Sequence, residues 1–283
     1  MQKVTFTNNL NGLSVVFASD TPQKHLAAFD GNSLGADFVR FKPVWHDGTR
    51  TLTHTLNART VTMTVNWYSV HDGKRSRTGG LTFWERLQYT LAPGDNGTLV
   101  WSNGSDTRSI SCCAAETPAL HEPAPGLFSA DITLAADYPL WKGNVQKVDV
   151  FSGQFHADAV EIENTCPVPI PPLIKIEGSV ASMFRTNPAG GYPYPTQSLF
   201  IDAERAGGST NALFIDCAEQ TVYRYAPDGS GKKNDRTYCL SPASEFFYLY
   251  PGKNIIVLSM NTGYENDTTI TFYRNDHYLG VSG

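Results

Sequence analysis

The sequence predicts a mainly β chain folded as two domains, with a single short helix in the first. Three observations carry this. Apolar and polar residues alternate with a period of two along many segments, the spacing that puts successive side chains on opposite faces of a strand. Between those segments recur Asn11-Gly12, Asp30-Gly31, Asp47-Gly48, Asp72-Gly73, Asn96-Gly97, Asn103-Gly104 and Asp228-Gly229, dipeptides that tolerate the positive φ angles of tight hairpin turns. Aromatic residues make up 12% of the chain and charged residues only 17%, a balance that favours packed sheets with large buried anchors over disorder or coiled coil.

The clearest strand runs from Thr60 to Trp67, where Val61, Met63, Val65 and Trp67 share one face against Thr and Asn on the other. That pattern is a half-buried antiparallel strand. The helix follows Gly79-Gly80: over 81–91, Phe83, Trp84, Leu87 and Leu91 fall near helical spacing, and Ala92-Pro93-Gly94 stops the run. Thr82 with Glu85 three residues later fits a capping box, so Glu85 is read as a cap rather than a catalytic acid. Strand alternation returns in Phe128, Ala130, Ile132 and Leu134.

A chain of 283 residues is long enough for two cores, and the segment 137–144, Asp-Tyr-Pro-Leu-Trp-Lys-Gly-Asn, marks the boundary. The expected domains are 1–145 and 146–283. In the second, Cys166-Pro167-Val168-Pro169-Ile170-Pro171-Pro172 is too short for a flexible linker, and its prolines enforce an extended path into the strand Leu173 to Glu177. Leu199 with Ile201, Leu213 with Ile215, and Ile270 with Phe272 supply further alternating pairs.

Charge and cysteine content exclude several functions. A net charge of −5 leaves no basic footprint for sequence-specific nucleic-acid binding. The clusters Lys74/Arg75/Arg77 and Lys232/Lys233/Arg236 sit among turn residues and read as solvated loop tips. The opening residues lack the apolar core of a signal peptide, and no segment approaches the roughly 18 apolar residues that span a bilayer, so the expectation is a chain made in the cytosol without a membrane partner. Cys112, Cys113, Cys166, Cys217 and Cys239 are odd in number and form no CxxC pair, which reads as small buried hydrophobes rather than a disulfide framework or zinc site.

The search for reactive motifs returns little. No GxSxG elbow, HxH or HExxH occurs, and the stretch Gly229-Ser230-Gly231-Lys232-Lys233 is only a fragment of a P-loop, read as a polar hairpin loop. His121-Glu122 is read as part of a solvent-exposed loop. Neither a cofactor nor an enzymatic activity is expected, although two carboxylates placed for glycoside hydrolysis leave no mark in spacing alone. Carbohydrate binding stays open, because β-sandwich modules use exposed aromatics. Tyr192, Tyr194, Tyr264 and Tyr278 are the candidates, each equally readable as a buried or rim tyrosine.

The order of features along the chain resembles one family. The opening Val4-Thr5-Phe6-Thr7-Asn8-Asn9-Leu10-Asn11-Gly12-Leu13-Ser14-Val15 leads through central strands and the helix to Gly97-Thr98-Leu99 and Arg108-Ser109-Ile110-Ser111-Cys112. The strand Phe128 to Leu134 then runs into Asp137-Tyr138-Pro139-Leu140-Trp141. This is similar to the signature that closes the N-terminal domain of distal tail (Dit) proteins of long-tailed phages. Ile174-Lys175-Ile176-Glu177-Gly178, Ile215-Asp216-Cys217 and Pro251-Gly252-Lys253-Asn254 resemble landmarks of the family's C-terminal domain.

The resemblance implies a ring-forming N-terminal β domain and a C-terminal galectin-like β-sandwich. It implies a structural virion component at the phage tail tip, assembled in the host cytoplasm as a homo-hexamer. Its partners would be the tail tube protein, a tail-associated hub or fibre protein, and a receptor-binding protein. The large insertions of carbohydrate-binding variants are absent. An acidic chain suits a channel that passes DNA without holding it. Trp45, Trp67 and Trp101 are candidates for either core or subunit contact.

Overall fold

In the computed structural model the described residues are 1–41, 50–178, 182–186, 196–202, 212–226, 229–259 and 268–281. They form two units: Met1–Asn144 with Tyr278–Gly283, and Val145–His277. The final residues thus return to the first unit.

The first unit contains β1 (Lys3–Asn8), β2 (Ser14–Ala18), β3 (Lys24–Asp30), β4 (Ala36–Phe41), β5 (Arg50–Leu56), β6 (Arg59–Trp67), β7 (Ser69–His71), β8 (Lys74–Ser76), α1 (Arg77–Thr90), β9 (Asn96–Ser102), β10 (Thr107–Ala114), β11 (His121–Ala124), β12 (Leu127–Ala136) and the start of β13 (Trp141–Gly153). Seven strands close into a barrel in the order β12, β6, β3, β2, β1, β9, β10, with β10 returning to β12 through Cys113 opposite Ala135 and Ala114 opposite Leu134. Closure removes sheet edges that would otherwise template further pairing. The thinnest seam is between β2 and β3, which meet in parallel at the single pair Ala18 and His25. β4 and β5 form a separate two-stranded ribbon, paired from Ala36 with Leu56 to Phe41 with Arg50.

Alternation fills the barrel as expected. Val61, Met63, Val65 and Trp67 point inward, as do Phe128, Ala130, Ile132 and Leu134 of the paired strand, and all are buried in one core with Val4, Phe6, Phe17, Leu99 and Trp101. The helix adds Leu87 and Leu91 to that core. It also surrounds Trp67 with rings: Trp84 stacks at 5.9 Å, Phe83 lies at 5.6 Å, and Phe128 of β12 stacks at 5.8 Å.

Two details of the helix differ from the sequence expectation. It begins four residues earlier, at Arg77, capped by Ser76, whose Oγ accepts from the Gly79 N–H. The pair Thr82 and Glu85 lies inside it. The helix runs through Gly79-Gly80 because a Cβ on Gly80 would stand 2.1 Å from the Phe128 ring, so glycine here permits close packing and does not end an element. The same reasoning corrects Asn96-Gly97. Gly97 is not a turn residue but lies within β9, where a Cβ would stand 2.2 Å from the Phe6 ring. Asp72-Gly73 is a tight turn as expected, with φ of 52° and 72°.

The buried Arg59 ties distant segments together. Its Nε donates to the Pro139 carbonyl at 2.6 Å, and its two terminal nitrogens donate to the carbonyls of Gly31 and Leu279. Burial pulls its pKa below the ordinary arginine value, opposed by the nearby Asp30 carboxylate. Trp141, fully buried, donates to the same Gly31 carbonyl at 2.9 Å. The segment 137–141 is therefore where the end of the barrel chain is stitched to β3.

The second unit contains β14 (His156–Asn164), β15 (Leu173–Glu177), β16 (Ser182–Thr186), β17 (Gln197–Phe200), β18 (Leu213–Asp216), β19 (Thr221–Tyr225), β20 (Lys233–Asp235), β21 (Gly252–Ser259) and β22 (Thr268–Tyr278). One sheet runs β13, β22, β15, β18, β19, β20 and the other β14, β21, β16, β17. Ile174, Ile215, Val222 and Phe272 from the first share a core with Ile162, Met183, Leu199 and Ile256 from the second. The expected pairs Leu213 with Ile215 and Ile270 with Phe272 are all buried there. Asn254 of the Pro-Gly-Lys-Asn motif is buried, and its Nδ2 donates to the Tyr250 carbonyl at 2.8 Å and the Gly252 carbonyl at 3.1 Å. The motif is a braced strand entry.

Replacing Arg59 with Met removes the donor to three carbonyls, two of which have no other donor among the hydrogen bonds described above, and should cost about 3 kcal/mol of stability. Arg59→Lys should recover less than half of this, because one ammonium cannot reproduce the guanidinium fork. Urea midpoints of the three proteins measure it.

Candidate functional site: assembly surfaces of the two units

The structure places few of the expected contact residues at the surface. Trp67 and Trp101 are both core residues of the barrel, so of the two readings left open by sequence they take the structural one. Trp45 lies outside the described residues. So do Tyr192, Tyr194 and Tyr264. Tyr278 is half-buried against the barrel core, with the Arg108 guanidinium 3.9 Å from its ring centroid.

Reactive chemistry finds no assembled site among the described residues. They hold no group of three or more His, Cys, Asp or Glu side chains placed to bind a metal ion. No described helix is long and apolar enough to cross a membrane. His121 and Glu122 lie on β11 and not in a loop, and the Glu122 carboxylate accepts from Arg77 Nε at 3.1 Å and from the Gly126 N–H at 3.0 Å. Those bonds, Arg77 first, hold its pKa below the usual carboxylate value. Four of the five thiols are buried. Burial pushes Cys112 and Cys217 up to about 12 and Cys166 and Cys239 up to about 11, so none of the four is a thiolate nucleophile near neutral pH.

What the surface does offer is contact area. On the barrel exterior the strand registers align Val16, Thr5, Val100 and Ser109 in one row and Ser14, Thr7, Thr98 and Ser111 in the next. The eight side chains are uncharged, and Lys142 of β13 stands opposite Ser109 at the end of the first row. Beside this face, the β1–β2 turn is locked in place. Asn8 is fully buried, and its Oδ1 accepts from the N–H groups of Leu10 at 2.9 Å and Asn11 at 3.2 Å. Its Nδ2 donates to the Thr90 carbonyl at the end of α1 and to Asp95. Asn11 Nδ2 donates to the Tyr89 carbonyl at 3.1 Å, so the turn caps the helix. Leu10 on this turn is 79% exposed and Tyr89 on the capped helix end is 70% exposed.

Sequence reasoning missed Leu10, Tyr89, Asn8 and Arg59. A signal existed for one of them: Leu10 is a lone large apolar residue among Asn and Gly in a turn, where no alternation requires it.

The second unit has a comparable feature on β13, where Val148 and Val150 alternate outward and are half exposed, while Lys147 and Asp149 turn to ion pairs with Asp276 and Arg274. On the opposite edge of that sheet, Phe214, Tyr223 and Tyr225 pack together at ring separations of 5.1 to 5.6 Å, with Lys233 Nζ 4.1 Å from the Tyr223 ring.

Comparison with known proteins follows the fold rather than the sequence. No family model and no curated protein matches the chain by sequence. By structure it matches the crystal structure of the SPP1 Dit protein, described as a paradigm of the hub adsorption apparatus in phages infecting Gram-positive hosts. The TM-score is 0.65 at 14% identity, over 97% of this chain and 99% of that one. This chain has the Dit fold. Two structures of the phage P2 baseplate in its activated conformation, with calcium and with strontium, match with TM-scores of 0.56 and 0.55 at 8% and 9% identity. Each match covers 99% of this chain and 100% of the other. The Dit likeness spans both units, so neither is an unrelated appendage.

A thiol reagent at pH 8 should label the native protein at Cys113 alone, the one half-buried cysteine, and all five after unfolding. Rapid native labelling of Cys112 or Cys217 would contradict the closed cores described above.

Proposed function

We propose that the chain is a structural subunit of a phage tail tip, a Dit-type hub without catalytic activity. Residues 1–145 form the ring domain, joined by the final residues from Tyr278, and the rest of 146–283 forms a galectin-like sandwich. Six copies close the ring. One side of the ring meets the tail tube protein, and the other carries a tail-associated hub or fibre protein and the receptor-binding protein. The subunits fold in the cytoplasm of the host and end in the virion.

The observation that carries this reading is the end-to-end likeness of both units to the SPP1 Dit protein. The surface supports it. A ring subunit needs fixed contact faces, and the barrel supplies an uncharged Thr, Ser and Val face with a locked apolar turn beside it. The ribbon of β4 and β5 has no further strand partner among the described residues, and two strands alone are marginally stable in water.

A second reading, a galectin-like module that contacts host wall carbohydrate, draws on the aromatic trio of Phe214, Tyr223 and Tyr225 with Lys233 beside it. Tyr223 is buried between Phe214 and Lys233, so the ring that this reading offers to a sugar is that of Tyr225, 41% exposed.

Light scattering on the purified full-length chain at rising concentration should give six times the chain mass, with annular particles in negative stain. Two-fold or open-ended assemblies would overturn the ring. The same protein should give no specific signal on an array of wall glycans, whereas micromolar binding lost in Tyr225→Ala would move the assignment to the second reading.

A further inference from the structure

The locked turn and a recess at the far end of the same strand are complementary. β2 is five residues long, about 17 Å, and separates two different surfaces of the first unit. At one end stand Leu10 and Tyr89. At the other lies an open recess of about 370 Å³ lined by Ser19, Asp20, Pro22, His25, Asn66 and Leu127. It sits at the thin seam where β2 meets β3 through Ala18 and His25.

We propose that Leu10 and Tyr89 of one copy seat in the Pro22, His25 and Leu127 recess of the next copy. The proposal rests on the ring reading and names the residues that join its subunits. Leu10 belongs to neither hydrophobic core and gains nothing from the fold of its own chain. Yet its turn is held by four hydrogen bonds. Asn8 accepts from two turn amides, the Gly12 N–H donates to the Asn8 carbonyl at 3.0 Å, and the Leu13 N–H donates to Asn11 Oδ1 at 2.9 Å. An exposed leucine held this rigidly is preorganised, so burying it in a partner costs little additional ordering.

The recess offers matching chemistry. Pro22 and Leu127 give apolar surface for the leucine, and Asp20 and His25 give polar partners for the Tyr89 hydroxyl. Anchor and recess lie at opposite ends of one strand, so the contact is head to tail. Each copy uses its anchor on one neighbour and its recess on the other, the arrangement that builds closed rings when the rotation between copies fits.

The test uses the full chain and two surface variants, Leu10→Glu and Pro22→Glu, whose melting temperatures should match the wild type because both positions are exposed. Each variant alone should need at least about 10-fold more protein to assemble. Mixed in equal amounts they should form dimers and nothing larger, because the first keeps a working recess and the second a working anchor. Wild-type rings with Leu10→Glu assembling equally well would leave the ring reading standing and sink this contact. A mixture that gives full rings, or no dimer, would sink it as well. A wild-type chain that never self-associates would overturn the ring reading, and the contact with it.

Discussion

The first unit depends on one buried guanidinium. Arg59 is 1% exposed, and a charge taken that far from water is costly unless every donor finds a partner. Its partners are the carbonyls of Gly31, Pro139 and Leu279, which lie far apart in sequence. The charge is satisfied only when the end of β3, the segment before β13 and the final residues are all in place. Arg108 acts similarly nearby, donating to the Gly280 carbonyl while paired with Asp106 at 2.6 Å, and Asn32 accepts from the Val281 N–H at 2.8 Å. The return of the chain's last described residues to the barrel is thus a requirement of the polar core.

A barrel closed in this way has few ways to associate. Its strands are paired around the barrel, so assembly of the kind proposed would have to use side-chain faces, protruding turns and the ribbon of β4 and β5. Rigidity then becomes useful. A face that does not deform sets a fixed rotation between neighbours, and a fixed rotation distinguishes a closed ring from a disordered aggregate.

Much of the fold was readable from sequence because alternation reports directly on burial. Val61 to Trp67 and Phe128 to Leu134 were assigned to the correct faces, and they pair with each other in the barrel. Glycine was the main source of error. Gly80 and Gly97 look like punctuation in one dimension, but they are sites where a ring presses on the backbone, and only the partner ring explains them. The residues proposed for contact between copies are the least readable part. Aromatic content drew attention to Trp67 and Trp101, which fill the core, whereas Leu10 and Tyr89 occupy a turn and a helix end where periodicity has no meaning. The order of landmarks from Val4 to Asn254 resembles that of the Dit family, and the fold agrees at 14% identity although no family model matches by sequence.

The chain is thus two β units with the Dit fold, the first braced by the buried Arg59 and both carrying exposed apolar residues. The central claim concerns its place in the virion. Gold-labelled antibody against the chain, applied to purified phage particles that encode it, measures this most directly. The account predicts label confined to the tail tip where the tube ends. Label along the tube or on the head, or particles that lack the chain altogether, would contradict it.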